Sequence, residues 1–492
     1  MPCVGWVTVR DAGASGGRQG AAPRRTDLMV CGALVVVVFG VYRAAFAVGF
    51  LNEDFSWLWR CRLVAPTTAW ALLTRDVMGG LYSWRPVLQL SFGLNEALWG
   101  VHVFGYRLEA LAWQALAAGL VYAIVARIAD PLRGAVAAVL FGVHPVHVES
   151  LSWTCACGGP ISTALLLLSL RGYLAWRQDE GRRPWMLAGV LVPFVLATAT
   201  LETSIVFIGV VFAAELFLPA PAVRLGARLQ LYVGLSAVAA GYLWLRHSSS
   251  PASTTMGMVG LDLRWPATMP QVAAFSLRKL LVVAGMLSTL DGQPVWCVAV
   301  VTGAGALAAG LCWWRGRGLG LWGLSWIVVA GAPFTLALLG PAPRHLHLAA
   351  VGFGLLCAEL AASGIELVAR RQRQLALVCA VALMLLWLGR MVLKIDQQTS
   401  VFVERGRLAD GLLADLQGLV PQPRPGSELA FYGLGTLRAE RGVFVYGLDD
   451  AVRLLYDDGS LRVRFGTRGD PSSANYHLSY DDGRLVMLAK HG

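Results

Sequence analysis

The sequence predicts an α-helical polytopic membrane protein with a small α/β domain at its C-terminal end. Three observations predict it. Of 492 residues, 56% are hydrophobic and only 14% charged, more apolar material than a soluble domain of this length can hide. The apolar residues gather into windows of roughly 20, the length that spans a bilayer as a helix. After residue 395 the pattern changes to short runs of alternating apolar and polar residues broken by Asp-Gly.

The windows lie near 28–49, 107–127, 133–151, 158–176, 185–200, 203–219, 229–245, 295–313, 319–339, 348–368 and 374–393, about eleven transmembrane helices. The net charge of +11 comes almost wholly from arginine. These arginines sit in alternate loops: Arg24 and Arg25, Arg127 and Arg133, Arg177 with Arg182 and Arg183, Arg224 and Arg228, Arg315 and Arg317, and Arg370, Arg371 and Arg373. That distribution argues for a cytoplasmic face rather than for nucleic acid. Residues 1–27 then form a cytoplasmic tail, 28–394 the membrane domain with a long first outer loop at 50–106, and 395–492 a soluble α/β domain on the outer side. Arg24, Arg25, the apolar stretch after them and Ala45-Phe46-Ala47 also fit a cleavable signal peptide, but the stretch is long for one and follows a polar leader.

Within the first outer loop, SWLWRCRLVAPTTAWALLTR (56–75) is rich in Trp and reads as a helix at the lipid interface, as does FSLRKLLVVAGMLSTL (275–290). In the tail, ELAFYGL, GVFVYGL, VRLLYDDGSLRVRF and YHLSYDDGRLVML read as strands, with YDDG at 456–459 and 480–483 as hairpin turns. The cysteines show no paired metal spacing, and Cys155-Ala-Cys157 is a weak signal.

Polar groups collect at the outer ends of the spans. They are Glu53 and Asp54, Arg85, Asn95, the segment HPVHVE with His144, His147 and Glu149, then Glu202, and Arg344 with His345 and His347. Any one of them alone reads as an interfacial residue reaching for headgroups. Together they form an inventory suited to moving a sugar off a lipid phosphate. A carboxylate such as Asp54 can take the proton of an acceptor hydroxyl. The phosphate leaves without a general acid but needs positive charge and donors around it. Histidines or a divalent cation could share that work, so the metal question stays open.

Four stretches resemble the GT-C superfamily of polytopic glycosyltransferases, and within it the protein O-mannosyltransferase-like group that includes the tetratricopeptide-linked enzymes. They are LYSWRPVLQLSFGLNEALWGVHVFGYR, LFGVHPVHVESLSW, ATLETSIV and RHLHLAAVGF, in the group's order. The resemblance implies a GT-C fold and an inverting, lipid-phosphate-sugar-dependent transferase, with Asp54 as catalytic base and Glu53 beside it. It implies that Arg85, His144, His147, Glu149, Glu202 and Arg344 bind the donor or its phosphate, lining one cavity with Asp54. The partners it implies are a polyprenyl-phosphate-linked sugar, membrane lipid and an unspecified acceptor glycan, lipid or protein. The expected location is a bacterial inner (plasma) membrane, active face outward.

The chain departs from the group's pattern. Its His, Asn and His along the second span are Arg107, Ala110 and Gln114, and its Lys before Glu202 is Leu201. CACGGP replaces the usual Gly-Arg-x-Asp, and no tetratricopeptide repeat follows. Two other readings compete: a transporter or flippase of lipid-linked saccharide, and an inactive scaffold. A transporter would place polar residues at mid-membrane on repeated halves, and neither feature is evident here.

Overall fold

The computed structural model describes residues 25–64, 84–219, 221–249, 295–336, 342–466, 474–481 and 483–490. Helices occupy each of the eleven expected windows. The bundle comprises α1 (Arg25–Val41), α2 (Glu53–Val64), α3 (Pro86–Trp99), α4 (Val103–Ile128), α5 (Pro131–Gly142), α6 (Val148–Ser152), α7 (Gly158–Gln178), α8 (Ala188–Thr198), α9 (Phe207–Phe217), α10 (Leu225–Ser249), α11 (Val295–Trp314), α12 (Gly318–Leu336) and α13 (Ala349–Leu419). Among the described residues, four segments are long and apolar enough to cross a membrane, or five if α5 and the helix that follows it, bent by 43°, count as one. The stretch 275–290 lies outside the described residues.

The 71 residues assigned to α13 cover two expected spans. Straight, it would reach about 107 Å at 1.5 Å per residue, more than three times a hydrocarbon core of roughly 30 Å. It doubles back instead. Glu366 pairs with Arg133 at 3.1 Å, near the start of α5, whereas Asp396 pairs with Arg43 at 3.7 Å, beyond the far end of α1. Phe353 and Gly364 from one arm face Leu375, Leu383 and Trp387 from the other across an apolar cleft. The arms are antiparallel, as two consecutive spans require.

Small residues set the close helix crossings. A Cβ on Gly352 of α13 would lie 2.4 Å from the carbonyl oxygen of Gly323 in α12, so two backbones touch where a side chain would part them. Membrane helices pack this way because lipid supplies no hydrophobic force between them.

The C-terminal part forms a four-stranded sheet of order β2-β1-β3-β4, with β1 Glu428–Tyr432, β2 Arg462–Phe465, β3 Tyr476–Asp481 and β4 Arg484–Lys490. β1 runs parallel to β2 and β3, and β3 pairs with antiparallel β4, whose approach begins at Gly483 of the second YDDG, at φ +85°. The first YDDG is not a hairpin. Asp457, at φ +51°, ends the helix Leu448–Tyr456 that replaces the expected strand through VRLLY. Buried Leu448, Ala451 and Val452 repeat at helical spacing, and that period prevails over the β-branched content. GVFVYGL forms no strand either: Phe444 is left-handed at φ +51°, and Arg438 donates to the carbonyls of Phe444 and Val445, both at 2.9 Å.

This domain sits on α2. The Asn52 side chain donates to the Gly442 carbonyl and accepts from the Val445 amide, both at 3.1 Å, and Phe55 stacks on Phe444 at 5.5 Å. Gly447 comes so close that a Cβ would lie 2.3 Å from the Asn52 carbonyl oxygen. The expected interfacial helix is thereby corrected for residues 56–64. Trp57 and Trp59 are 2% and 6% exposed, packed inside the protein rather than against lipid.

Candidate functional site

Asp54 opens α2, where the chain arrives from the first span and turns. Its side chain is fully enclosed, at 0% exposure. Oδ2 accepts the Leu51 amide at 3.0 Å and the Thr154 amide at 3.4 Å, and Oδ1 accepts the Cys155 amide at 2.7 Å. A carboxylate has about four lone-pair directions, and amides of the described residues take three of them. Burial pushes its pKa up to about 6, while the Arg107 charge and the Leu51 and Cys155 amides pull down and neighbouring Glu53 pushes up. Glu53 is also buried. The expectation of an Asp54 facing open space is not met: a closed shell of backbone amides surrounds it.

The three parts of that shell are held by other polar contacts. Arg107, in α4 and 1% exposed, donates to the Thr154 hydroxyl at 2.9 Å and to the carbonyls of Val48 and Gly49 at 3.2 and 3.0 Å. Trp153 Nε1 donates to the Leu51 carbonyl at 3.3 Å, and Tyr42 donates its hydroxyl to the His144 carbonyl at 2.8 Å. The HPVHVE segment and the Asp54 turn are therefore neighbours.

His144 and His147 are both completely buried. His144 Nδ1 accepts the Val146 amide at 3.2 Å, and His147 Nε2 lies 2.8 Å from the Phe141 carbonyl. The ring of His147 lies 4.1 Å from that of His347, which bridges Thr163 Oγ1 at 3.0 Å and Gln114 Oε1 at 2.9 Å. The other ring nitrogens, His144 Nε2 and His147 Nδ1, have no hydrogen-bond partner among the described residues. Imidazoles thus line an interior polar seam behind the Asp54 turn.

Glu149 accepts the Arg344 amide at 3.1 Å and pairs with the Arg344 guanidinium, which lies 5.2 Å over the Trp153 ring. Arg85 forks onto Glu202 at 3.0 and 2.9 Å. Burial would raise the Glu202 carboxyl, but the Arg85 charge and hydrogen bonds outweigh it and hold the group down at about 2. Arg344, Glu202 and Arg85 all act electrostatically on His345. The two pairs therefore sit around one histidine, and every expected site residue lies on this end of the bundle. Each cationic fork already holds a carboxylate. Among the described residues, no group of three or more His, Cys, Asp or Glu is arranged to hold a metal ion.

Sequence reasoning missed the amides of Thr154 and Cys155, because a backbone donor leaves no mark in composition. It registered Arg107 and Gln114 only as departures from a motif, although both are anchors of the site. A cation inside an apolar span was the available signal, since such a group needs a partner.

No family model matches the chain. Over 128 residues it is 35% identical to the protein O-mannosyl-transferase Tmtc1 of Drosophila melanogaster, covering 25% of this chain and 14% of that protein. Over 194 residues it is 25% identical to the protein O-mannosyl-transferase TMTC3 of Mus musculus, covering 37% and 21%. The chain thus spans about a fifth or less of the length of these relatives. Among solved structures it is similar to ArnT of Cupriavidus metallidurans bound to undecaprenyl phosphate, with TM-score 0.50, 12% identity and coverage of 94% and 97%. It is also similar to the oligosaccharyltransferase AglB of Archaeoglobus fulgidus in complex with an inhibitory peptide and a dolichol-phosphate, with TM-score 0.51, 11% identity and coverage of 89% and 64%.

Proposed function

Because the chain is a membrane protein of GT-C type that resembles the protein O-mannosyltransferases, we propose that it moves a sugar from a polyprenyl-phosphate carrier to an acceptor hydroxyl. Asp54 takes the hydroxyl proton. The freed oxygen attacks the anomeric carbon, the bond from that carbon to the phosphate oxygen breaks, and the lipid phosphate leaves with configuration inverted. Arg85 and Arg344 receive that phosphate, exchanging it for Glu202 and Glu149, and His144 and His147 bound the donor site. The lipid carriers bound to ArnT and AglB support a polyprenyl-phosphate donor.

One observation carries the reading: a buried carboxylate with a pKa of about 6 shares one end of the bundle with two arginine forks. A group near neutrality is suited to accept a proton at working pH. With Asp54 enclosed, the acceptor reaches it only when the 154–155 turn or the 48–54 segment moves. The arginine loops support an active face and a C-terminal domain outside the cytoplasm. We place that face on a bacterial plasma membrane, although the matched sequence relatives are animal proteins.

The test is to incubate the purified full chain with undecaprenyl-phosphate sugars and follow release of undecaprenyl phosphate. Release with at least one sugar is expected, and none across the panel defeats the reading. A second reading, a catalytically silent scaffold, is favoured by the closed shell of Asp54 and by Leu201 where the related motif carries Lys.

A further inference from the structure

We propose that Arg107 is a positioning residue that keeps the Asp54 carboxylate ionised and correctly placed for the transfer. It does so by its charge and by tying together the two backbone segments that enclose Asp54. The inference rests on the transferase reading for its consequence, but not for its geometry.

An arginine inside a membrane-spanning helix is costly unless its charge and its donors are answered. Arg107 lies in α4, which passes as a span, and is 1% exposed. Its three hydrogen bonds go to neutral acceptors: the Thr154 hydroxyl and the carbonyls of Val48 and Gly49. Asp54 supplies the opposing charge. The carboxylate in turn takes its amides from Leu51, Thr154 and Cys155. The same two segments, 48–51 and 154–155, therefore carry the guanidinium on one side and the carboxylate on the other. Thr154 touches both, accepting from Arg107 on its hydroxyl oxygen and donating its amide to Asp54.

A buried cation and a buried carboxylate are each expensive alone and cheaper together, because attraction grows where water is absent. The other ionisable groups acting on Asp54 or in contact with its shell do not replace this charge. Glu53 on the same helix is of like sign and opposes ionisation. Cys155 and Cys157 on the turn, and Tyr106 on α4, bring no positive charge. Arg344 acts on Cys155, but its guanidinium is engaged by Glu149.

The experiment titrates Asp54 directly. Infrared difference spectra of the full-length protein in detergent are recorded across pH. The protonated-carboxyl band is assigned to Asp54 by its loss in Asp54→Asn. In the native chain the midpoint is expected near about 6. Two neutral variants, Arg107→Gln and Arg107→Met, should move it upward by about one to three pH units, the effect of losing a nearby opposite charge. Arg107→Lys keeps a cation but loses the fork, and should raise the midpoint by less than about one unit. An unmoved midpoint in whichever neutral variant runs as a monodisperse folded species overturns the proposal. If neither does, a midpoint raised by a unit or more in Arg107→Lys overturns it instead. Transfer from undecaprenyl-phosphate mannose is measured in parallel. If the native chain consumes none, the transferase reading fails for that donor while the infrared midpoints still decide the role of Arg107.

Discussion

At the scale of single residues, Asp54 and Arg344 separate two jobs. Asp54→Asn keeps the shape of the side chain but cannot take a proton, so kcat should fall by about 10² to 10⁴-fold while donor KM changes little. Equal turnover in the two proteins removes the base. Arg344→Ala should do the reverse, raising donor KM by about 10 to 100-fold, the worth of charge-assisted hydrogen bonds. The pH dependence follows from the same carboxylate. Its folded pKa is about 6, raised by burial, and only the ionised form accepts a proton. The rate should therefore be flat above that value and fall about tenfold per unit below it. A rate profile with no acidic limb between pH 4 and 7, about the range set by such a shift, would contradict the assignment.

At the scale of elements, the crossing of α12 and α13 and the seat of the small domain make the clearest predictions. Gly352→Val puts two methyl groups where the Gly323 carbonyl already stands, so the helices must part. The variant should unfold at lower temperature in detergent, by an overpacking cost of about 1–3 kcal/mol. Phe444→Ala leaves a hole against Phe55 and should cost about 3–5 kcal/mol of local packing. Hydrogen exchange should quicken across 428–465 and the start of α2 and stay unchanged in α4. The helical windows were legible because a 20-residue apolar run has one economical form in lipid. The hairpin within α13 was legible too, as two windows around Arg370, Arg371 and Arg373. Strands were harder. GVFVYGL looks β-branched and aromatic, yet its backbone follows the Asn52 and Arg438 contacts, which lie far away in sequence. Tertiary partners decided that segment, and no local pattern announces them. The Trp-rich start of α2 misled for the same reason: amphipathic stretches fit a membrane surface and a domain interface equally well.

At the scale of the whole molecule, three things come together: a helical bundle similar in fold to ArnT and AglB, a closed carboxylate at one end, and a small sheet domain clamped over the helix that carries it. The motif residues were legible because chemistry constrains side-chain type. The enclosure of Asp54 was not, since it depends on amides from residues about 100 positions away. A reporter fused after residue 492 should give an extracytoplasmic signal if the arginine loops set the orientation. The most direct test of the central claim is turnover of the purified native chain beside Asp54→Asn, at saturating undecaprenyl-phosphate sugar, across pH 5–8, a range that brackets roughly the Asp54 transition. Release of undecaprenyl phosphate is expected from the native chain alone, rising through about pH 6 to a plateau. Release of the same size and pH dependence from Asp54→Asn would contradict it.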